Sequence, residues 1–89
     1  MELKRVVVTG LGAITPIGND VATTWSNALA GVSGAGPLTH FDASLFKTQF
    51  ACEVKGFNAA DHFDRKAVRT LDLYAQYALV AATQAVDDA

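Results

Sequence analysis

Three side chains of this sequence belong to the types that enzymes most often use as nucleophile or base: Cys52, His40 and His62. A thiol becomes a nucleophile when a helix N-terminus or an adjacent base lowers its pKa. Cys52 lies instead in a strand-like run between Ala51 and Glu53, where a negative neighbour opposes the thiolate. The sequence therefore predicts that Cys52 is a small, buried, apolar residue and not a nucleophile.

The two histidines and the nearby acids follow no spacing that is typical of a metal site. His40 falls in a Gly/Pro-containing loop and His62 precedes the last predicted helix, so both are interpreted as surface or capping residues. Asp42, Asp61 and Asp64 fit turn and cap roles. The three acids could act as a catalytic pair only if the fold brought them together. We therefore predict no metal ligand and no cofactor in this segment.

A cluster of positive charge stands at the start of the last predicted helix. Three of the seven basic residues fall within five positions, and they are Arg65, Lys66 and Arg69. Positive charge there opposes the helix macrodipole, so the cluster needs another explanation. One is a solvated face that pairs with nearby carboxylates, those of Asp61, Asp64 and Asp72. The other is a docking surface for an acidic partner.

The glycine-rich stretch VVVTGLGAITPIG near the N-terminus has only part of a dinucleotide-binding fingerprint. Such a fingerprint needs a glycine or alanine three residues after its second glycine, and a helix that begins at once. Thr15 occupies that position, and Pro16 delays the helix until about Val21. The alternative, which we favour, is that Gly10 and Gly12 let a strand approach a neighbouring backbone closely or bulge.

The predicted elements are those of an α/β protein. Residues 5–14 read as a strand buried on both faces, because the apolar run is nearly continuous. Residues 21–30 form a helix that Gly31 ends, with one apolar face consisting of Val21, Trp25, Ala28 and Leu29. Residues 32–46 read as a loop and residues 49–54 as a short strand.

A second helix is predicted to begin near Arg65 and to continue to the last residues. Its apolar stripe is Val68, Leu71, Ala75, Ala78, Leu79, Ala82, Ala85 and Val86. Its polar stripe is Arg65, Arg69, Asp72, Gln76, Thr83 and Asp87. The many alanines predict close approach to another helix or sheet. Two strands and two helices cannot cover a sheet, so we expect an N-terminal piece of a larger α/β protein.

Composition limits the classes of function. The 89 residues are 51% apolar and carry a net charge of −2, which is typical of a globular protein and gives no basic face for nucleic acid. The single cysteine is typical of a reducing compartment. No run approaches the roughly 20 apolar residues of a membrane span, and no signal-peptide pattern is present. We expect a cytoplasmic protein.

In their order and spacing, four segments resemble the β-ketoacyl-acyl-carrier-protein synthases, the condensing enzymes of fatty-acid elongation. They are RVVVTGLGAITPIGND, TTWSNALAGVSGAGPLTHFDAS, FACEVKGFN and DRKAVRTLDLYAQYAL. The resemblance is greatest to the type II, long-chain elongating form. It implies that residues 1–89 are the N-terminal part of a thiolase-like αβαβα layered fold, ordered as core strand, helix, loop, short strand and long helix. It also implies that the glycine stretch binds no nucleotide.

The resemblance further implies the function of the complete enzyme, which condenses acyl-carrier protein with malonyl-carrier protein and releases carbon dioxide. The family is homodimeric, and its catalytic cysteine and histidines match no residue here, so the segment alone is expected to be inactive. Arg65, Lys66 and Arg69 match positions that meet the acidic carrier protein, whereas Thr70 replaces a frequent Lys or Arg. Two alternatives stay open: a ketosynthase domain of a polyketide synthase, and a non-condensing decarboxylase or interaction relative.

Overall fold

The computed structural model describes residues 2–89, which form a mixed α/β structure. Its elements in chain order are α1 (Val21–Leu29), β1 (Ala35–Pro37), β2 (Phe50–Cys52), a 3-10 turn (Ala59–Asp61), α2 (Arg65–Thr70) and α3 (Leu73–Asp88).

Helix α1 begins and ends where local sequence signals predict. The Asp20 carboxylate accepts a hydrogen bond of 2.6 Å from the Thr23 amide, which caps the first turn. Gly31 has a φ of 73° and follows the last turn. The Gly31 amide donates to the Ala28 carbonyl and the Val32 amide donates to the Asn27 carbonyl, at 3.2 and 2.9 Å. This pair of bonds is a Schellman motif, so the predicted helix and its glycine end are confirmed.

The prediction of a strand over residues 5–14 is wrong for the chain as it stands. No residue of this segment belongs to a strand, and Val6 and Val8 are 87% and 78% exposed. A strand needs a neighbouring strand to take its backbone hydrogen bonds, and none lies beside this segment within residues 2–89. The amides of Leu11 and Ala13 instead donate to side chains of α3, those of Asp88 and Gln84.

Gly10 and Gly12 bring this segment directly against the backbone of α3. A Cβ added at Gly12 would lie 2.8 Å from the Ala85 nitrogen and closer still to the Ala81 carbonyl oxygen. A Cβ added at Gly10 would meet the Ala85 carbonyl oxygen in the same way. The predicted close approach of the glycines to a neighbouring backbone is confirmed, and its partner is a helix.

A short two-stranded sheet forms in the middle of the chain. Strands β1 and β2 are antiparallel, with Ala35 opposite Cys52 and Gly36 opposite Ala51. The predicted short strand is confirmed, whereas the prediction of a loop throughout residues 32–46 missed β1. Cys52 is exposed, which corrects the prediction of burial. Phe50 and Cys52 share one face of β2, and nothing in residues 2–89 covers that face.

The predicted last helix is divided into α2 and α3. Leu71 has backbone angles of −104° and 128° and Asp72 has −66° and 159°, so both residues are extended and break the helix. The side-chain amide of Gln76 donates to the Leu71 carbonyl at 2.9 Å and satisfies an acceptor that the break leaves free. The prediction of one continuous helix is therefore wrong at these two residues.

Helix α3 packs through a face that the predicted stripes do not describe. Its buried residues are Gln76 and Val80, with Gln76 only 3% exposed although it was assigned to the polar stripe. Leu79 and Val86 of the predicted apolar stripe are 48% and 73% exposed. The helix is apolar on more than one side, so periodicity alone does not select the side that packs within this chain.

The structure is open and its core is small. The radius of gyration is 16.5 Å, whereas a compact domain of this length has one of about 12 Å. Only Ala43 and Val80 are buried apolar residues among those described. The predicted apolar face of α1 is uncovered at Trp25 and Leu29. Across residues 2–89, no helix combines the length and apolarity that crossing a membrane requires.

Candidate functional site

The cationic cluster, Arg65, Lys66 and Arg69, lies on the six-residue helix α2. Asp64 starts this helix, because its carboxylate accepts a hydrogen bond of 2.8 Å from the Ala67 amide. At the other end the Thr70 hydroxyl donates to the Lys66 carbonyl at 3.1 Å. A short helix has little stability by itself, so these two hydrogen bonds help to stabilise the six-residue helix that carries the cluster.

All three side chains of the cationic cluster are exposed. Residues three and four apart share one side of a helix, so Lys66 and Arg69 project together, as do Arg65 and Arg69. Within residues 2–89 none of the three lies within 4 Å of a carboxylate. The alternative of a solvated face neutralised by Asp61, Asp64 and Asp72 therefore lacks its ion pairs in this structure, and the positive charge is available to a partner.

The segment that leads into α2 is held against α3 by aromatic contacts. The Phe57 ring stacks on the His62 imidazole with 5.4 Å between centroids, and it is perpendicular to the Tyr77 ring with 5.0 Å between centroids. Asn58 caps the intervening 3-10 turn by accepting from the Ala60 amide. These contacts fix where α2 begins relative to α3. They also give His62 a packing role within the described residues.

A second polar cluster surrounds Glu53 at the end of β2. Its carboxylate accepts from the Thr39 hydroxyl at 2.8 Å and from the amides of Thr39 and His40. The His40 Nδ1 atom lies 3.5 Å from the same carboxylate. The hydrogen bond from the Thr39 side chain is the main reason that the pKa of Glu53 lies below its usual range. This carboxylate therefore holds the loop at residues 39–40 against β2.

Within residues 2–89 the three reactive side chains have different surroundings. Cys52 is exposed on β2, His40 faces Glu53, and His62 stacks on Phe57. Among residues 2–89 no three His, Cys, Asp or Glu side chains converge as metal ligands do.

Two glutamines and one lysine have roles that the sequence analysis missed. Gln84 accepts from the Ala13 amide and donates to the Asn19 carbonyl, at 3.0 and 2.8 Å, so it joins two ends of the N-terminal segment to α3. Gln76 is buried at the helix break, and Lys55 binds main-chain carbonyls. The available signal was the four-residue spacing of Gln76, Val80 and Gln84, which places both amides on one helix face.

Comparison with known proteins connects these features to a family. The sequence profile described as "Beta-ketoacyl synthase, N-terminal domain" matches residues 3–89. The chain belongs to this family. The resemblance recognised from VTGLGAITPIG and the segments after it is thereby confirmed.

Similar proteins cover nearly the whole chain. It is 54% identical over 86 residues, or 97% of its length, to 3-oxoacyl-[acyl-carrier-protein] synthase 2 of Staphylococcus aureus strain COL. The same-named protein of Coxiella burnetii is 49% identical over 88 residues, or 99% of this chain. In both cases the match covers 21% of the relative, so the chain spans about a fifth of the length of these curated relatives.

A solved structure supports the fold. The ishigamide ketosynthase/chain length factor superposes with a TM-score of 0.82 and 39% sequence identity, over 92% of this chain and 20% of that one. The arrangement of α1, the β1–β2 pair, α2 and α3 is thus similar to the corresponding part of a ketosynthase.

Proposed function

We propose that the protein to which this chain belongs is a β-ketoacyl-acyl-carrier-protein synthase of fatty-acid elongation. The observation that carries this proposal is the 54% identity over 97% of the chain to a 3-oxoacyl-[acyl-carrier-protein] synthase 2. In the proposed reaction an enzyme thiolate takes the acyl group and releases the carrier thiol. Malonyl-carrier protein then loses carbon dioxide, and its enolate attacks the acyl thioester. The products are 3-oxoacyl-carrier protein and the regenerated thiolate.

We infer that residues 1–89 supply scaffold and partner contact, and none of the reacting groups. Cys52 is exposed, His40 contacts Glu53 and His62 stacks on Phe57, which supports this division. The exposed Val6–Val8 segment would then be a core strand of the layered αβαβα fold, in the first part of the ketosynthase N-terminal domain. Homodimer formation and a cytoplasmic location belong to the same proposal.

The cationic cluster is proposed to bind the acidic acyl-carrier protein. Its exposure and its lack of intramolecular ion pairs within residues 2–89 support this role. Opposite charges outside the buried centre of an interface act mainly by steering the encounter, so the cluster would raise the association rate. Because Thr70 is uncharged, no basic residue follows Arg69 in α2. Lys66 and Arg69 project from the same side of the helix, so they are the pair to test.

The test of docking is a double charge reversal, Lys66→Glu with Arg69→Glu, in the complete enzyme. We expect the KM for carrier-bound substrate to rise by roughly tenfold or more, with kcat changed little and with part of the difference removed by added salt. The matched control reverses Lys4 and Lys47, two exposed lysines outside α2. A small pantetheine thioester reports on the chemistry without docking. Equal losses on carrier-bound and small substrates would show that the cluster is structural.

The test of the reaction is product analysis of the complete enzyme with acyl- and malonyl-carrier protein. Formation of 3-oxoacyl-carrier protein with equimolar carbon dioxide supports the proposal. Carbon dioxide without condensation would indicate the decarboxylase alternative. The ketosynthase/chain length factor match favours a second candidate, a polyketide-type ketosynthase. Repeated condensation without reduction of the keto group would identify that candidate.

A further inference from the structure

Three main-chain carbonyl oxygens converge on the side-chain nitrogen of Lys55. The Nζ atom donates to the carbonyls of Gly34 at 2.7 Å, Glu53 at 3.0 Å and Pro16 at 3.2 Å. An ammonium group has three donor hydrogens and no acceptor, so three carbonyls satisfy it completely. We call the oxygens of Pro16, Gly34 and Glu53 the carbonyl cage.

The carbonyl cage joins parts of the chain that are distant in sequence. Pro16 is 39 residues from Lys55 and lies in the tight turn that hydrogen bonds between Thr15 and Gly18 close. Gly34 is 21 residues away and enters β1. A Cβ at Gly34 would lie only 2.6 Å from the Pro16 Cβ, so the turn and the loop already touch.

Lys55 is exposed, and its ammonium group contacts carbonyl oxygens and no carboxylate of residues 2–89 within 4 Å. The Glu53 carboxylate accepts from Thr39 and His40 instead, and within residues 2–89 no acid lies within 4 Å of Nζ. Hydrogen bonds with a charged donor are stronger than neutral ones, so the Lys55 ammonium joins the Pro16 turn, the Gly34 loop and the end of β2. Oxygens gathered in this way form the kind of donor set that receives a monovalent cation.

We propose that the carbonyl cage is a binding site for a monovalent cation of the ammonium class, and that the ammonium of Lys55 occupies it as a tethered ligand. Lys55 thereby fixes the Pro16 turn against the Gly34 loop. A cleft of about 380 Å³ lies beside the cage, and Lys55, Asn27, Ser33 and the acidic Asp20 are among its lining residues. Once the lysine side chain is shortened, this cleft gives a small amine a path to the three oxygens.

The experiment is chemical rescue of Lys55→Ala in the complete protein. We expect this variant to have an apparent Tm lower by roughly 1 °C or more. Ammonium or n-butylammonium chloride should then restore at least half of the loss in a saturable manner. Tetramethylammonium at equal ionic strength should not, because it has no N–H donor. If the variant does not fold, the yield of soluble protein on refolding with ammonium, compared with tetramethylammonium, is the readout.

Two further variants separate the proposal from a general effect. Lys55→Met keeps the aliphatic stem but fills the space with an apolar group, so it should lose stability and not respond to ammonium. Lys47→Ala removes an exposed lysine far from the cage in sequence and should change neither Tm nor the response to salt. An unchanged Tm in Lys55→Ala would overturn the proposal. So would equal recovery, or no recovery, with ammonium and tetramethylammonium.

Discussion

Substituting Gly12 by alanine tests whether the N-terminal segment truly lies against the backbone of α3. The new Cβ would be 2.8 Å from the Ala85 nitrogen and 2.9 Å from the Ala81 carbonyl carbon, with the Ala81 oxygen nearer still. Ordinary contact begins at 3.4 Å, and real Cβ atoms essentially never approach within 3.0 Å. The atoms in the way are helix backbone, which cannot rotate aside as a side chain can. The segment or the helix must therefore move.

The expected loss of stability follows from this displacement. Overpacking against backbone costs about 1–3 kcal/mol. Moving the segment also weakens the hydrogen bond from the Ala13 amide to Gln84, which contributes about 1 kcal/mol. Alanine also lowers the conformational entropy of the unfolded chain, which stabilises the folded state by about 0.4–1 kcal/mol and offsets the loss of that hydrogen bond. The net expectation for Gly12→Ala is a destabilisation of about 1–3 kcal/mol. In a complete protein about five times as long as this chain, that loss lowers the apparent Tm by roughly 1–4 °C.

The assay is thermal unfolding of the complete protein, and Gly36→Ala is the matched control. Gly36 has no atom within 4 Å of its added Cβ and no positive φ. Alanine there should leave Tm unchanged or raise it slightly. If Gly12→Ala and Gly36→Ala both unfold within about 0.5 °C of the wild type, the close contact with α3 is absent and the reasoning fails.

Three other predictions concern the pH response, the thiol and the isolated chain. Since hydrogen bonds lower the folded-state pKa of Glu53 below its ordinary value of 4.5, its contribution is present above that pH and is lost as pH falls through the lower, folded-state value. The Tm difference between wild type and Glu53→Ala should therefore be constant near neutrality and shrink below about pH 4.5; a difference that grows on acidification contradicts the assignment. Cys52→Ser should form acyl-enzyme normally by intact mass in the complete enzyme, because Cys52 has no activating neighbour; loss of that adduct in folded protein would make Cys52 the nucleophile. The isolated 89-residue chain should aggregate or unfold without a cooperative transition, because little of it is buried; a sharp calorimetric transition of a soluble monomer would refute this.

Features set by neighbouring residues were predictable from the sequence. Asp20 and Gly31 bound α1 through hydrogen bonds that span only a few residues, so the residue types alone indicate them. The clustering of Arg65, Lys66 and Arg69 is likewise a property of the sequence, and an exposed short helix keeps it on the surface. The family could also be recognised from the sequence, because the order and spacing of its motifs are visible without any knowledge of the contacts in the fold.

Features that depend on distant partners were decided by the tertiary structure. Whether residues 5–14 form a strand depends on a neighbouring strand, and which face of α3 is buried depends on what packs there. Gln76 is buried where its side-chain amide donates to the free Leu71 carbonyl, a position that its polar residue type did not predict. Lys55 reaches carbonyls 21 and 39 residues away, a contact that no local pattern contains. Hydrogen bonds and apolar burial between remote segments exist only after the chain has folded. The sequence by itself therefore determined the helix caps, the charge cluster and the family. The fold determined which face of α3 is buried, where the last helix breaks, and which remote segments Lys55 and Gln84 join.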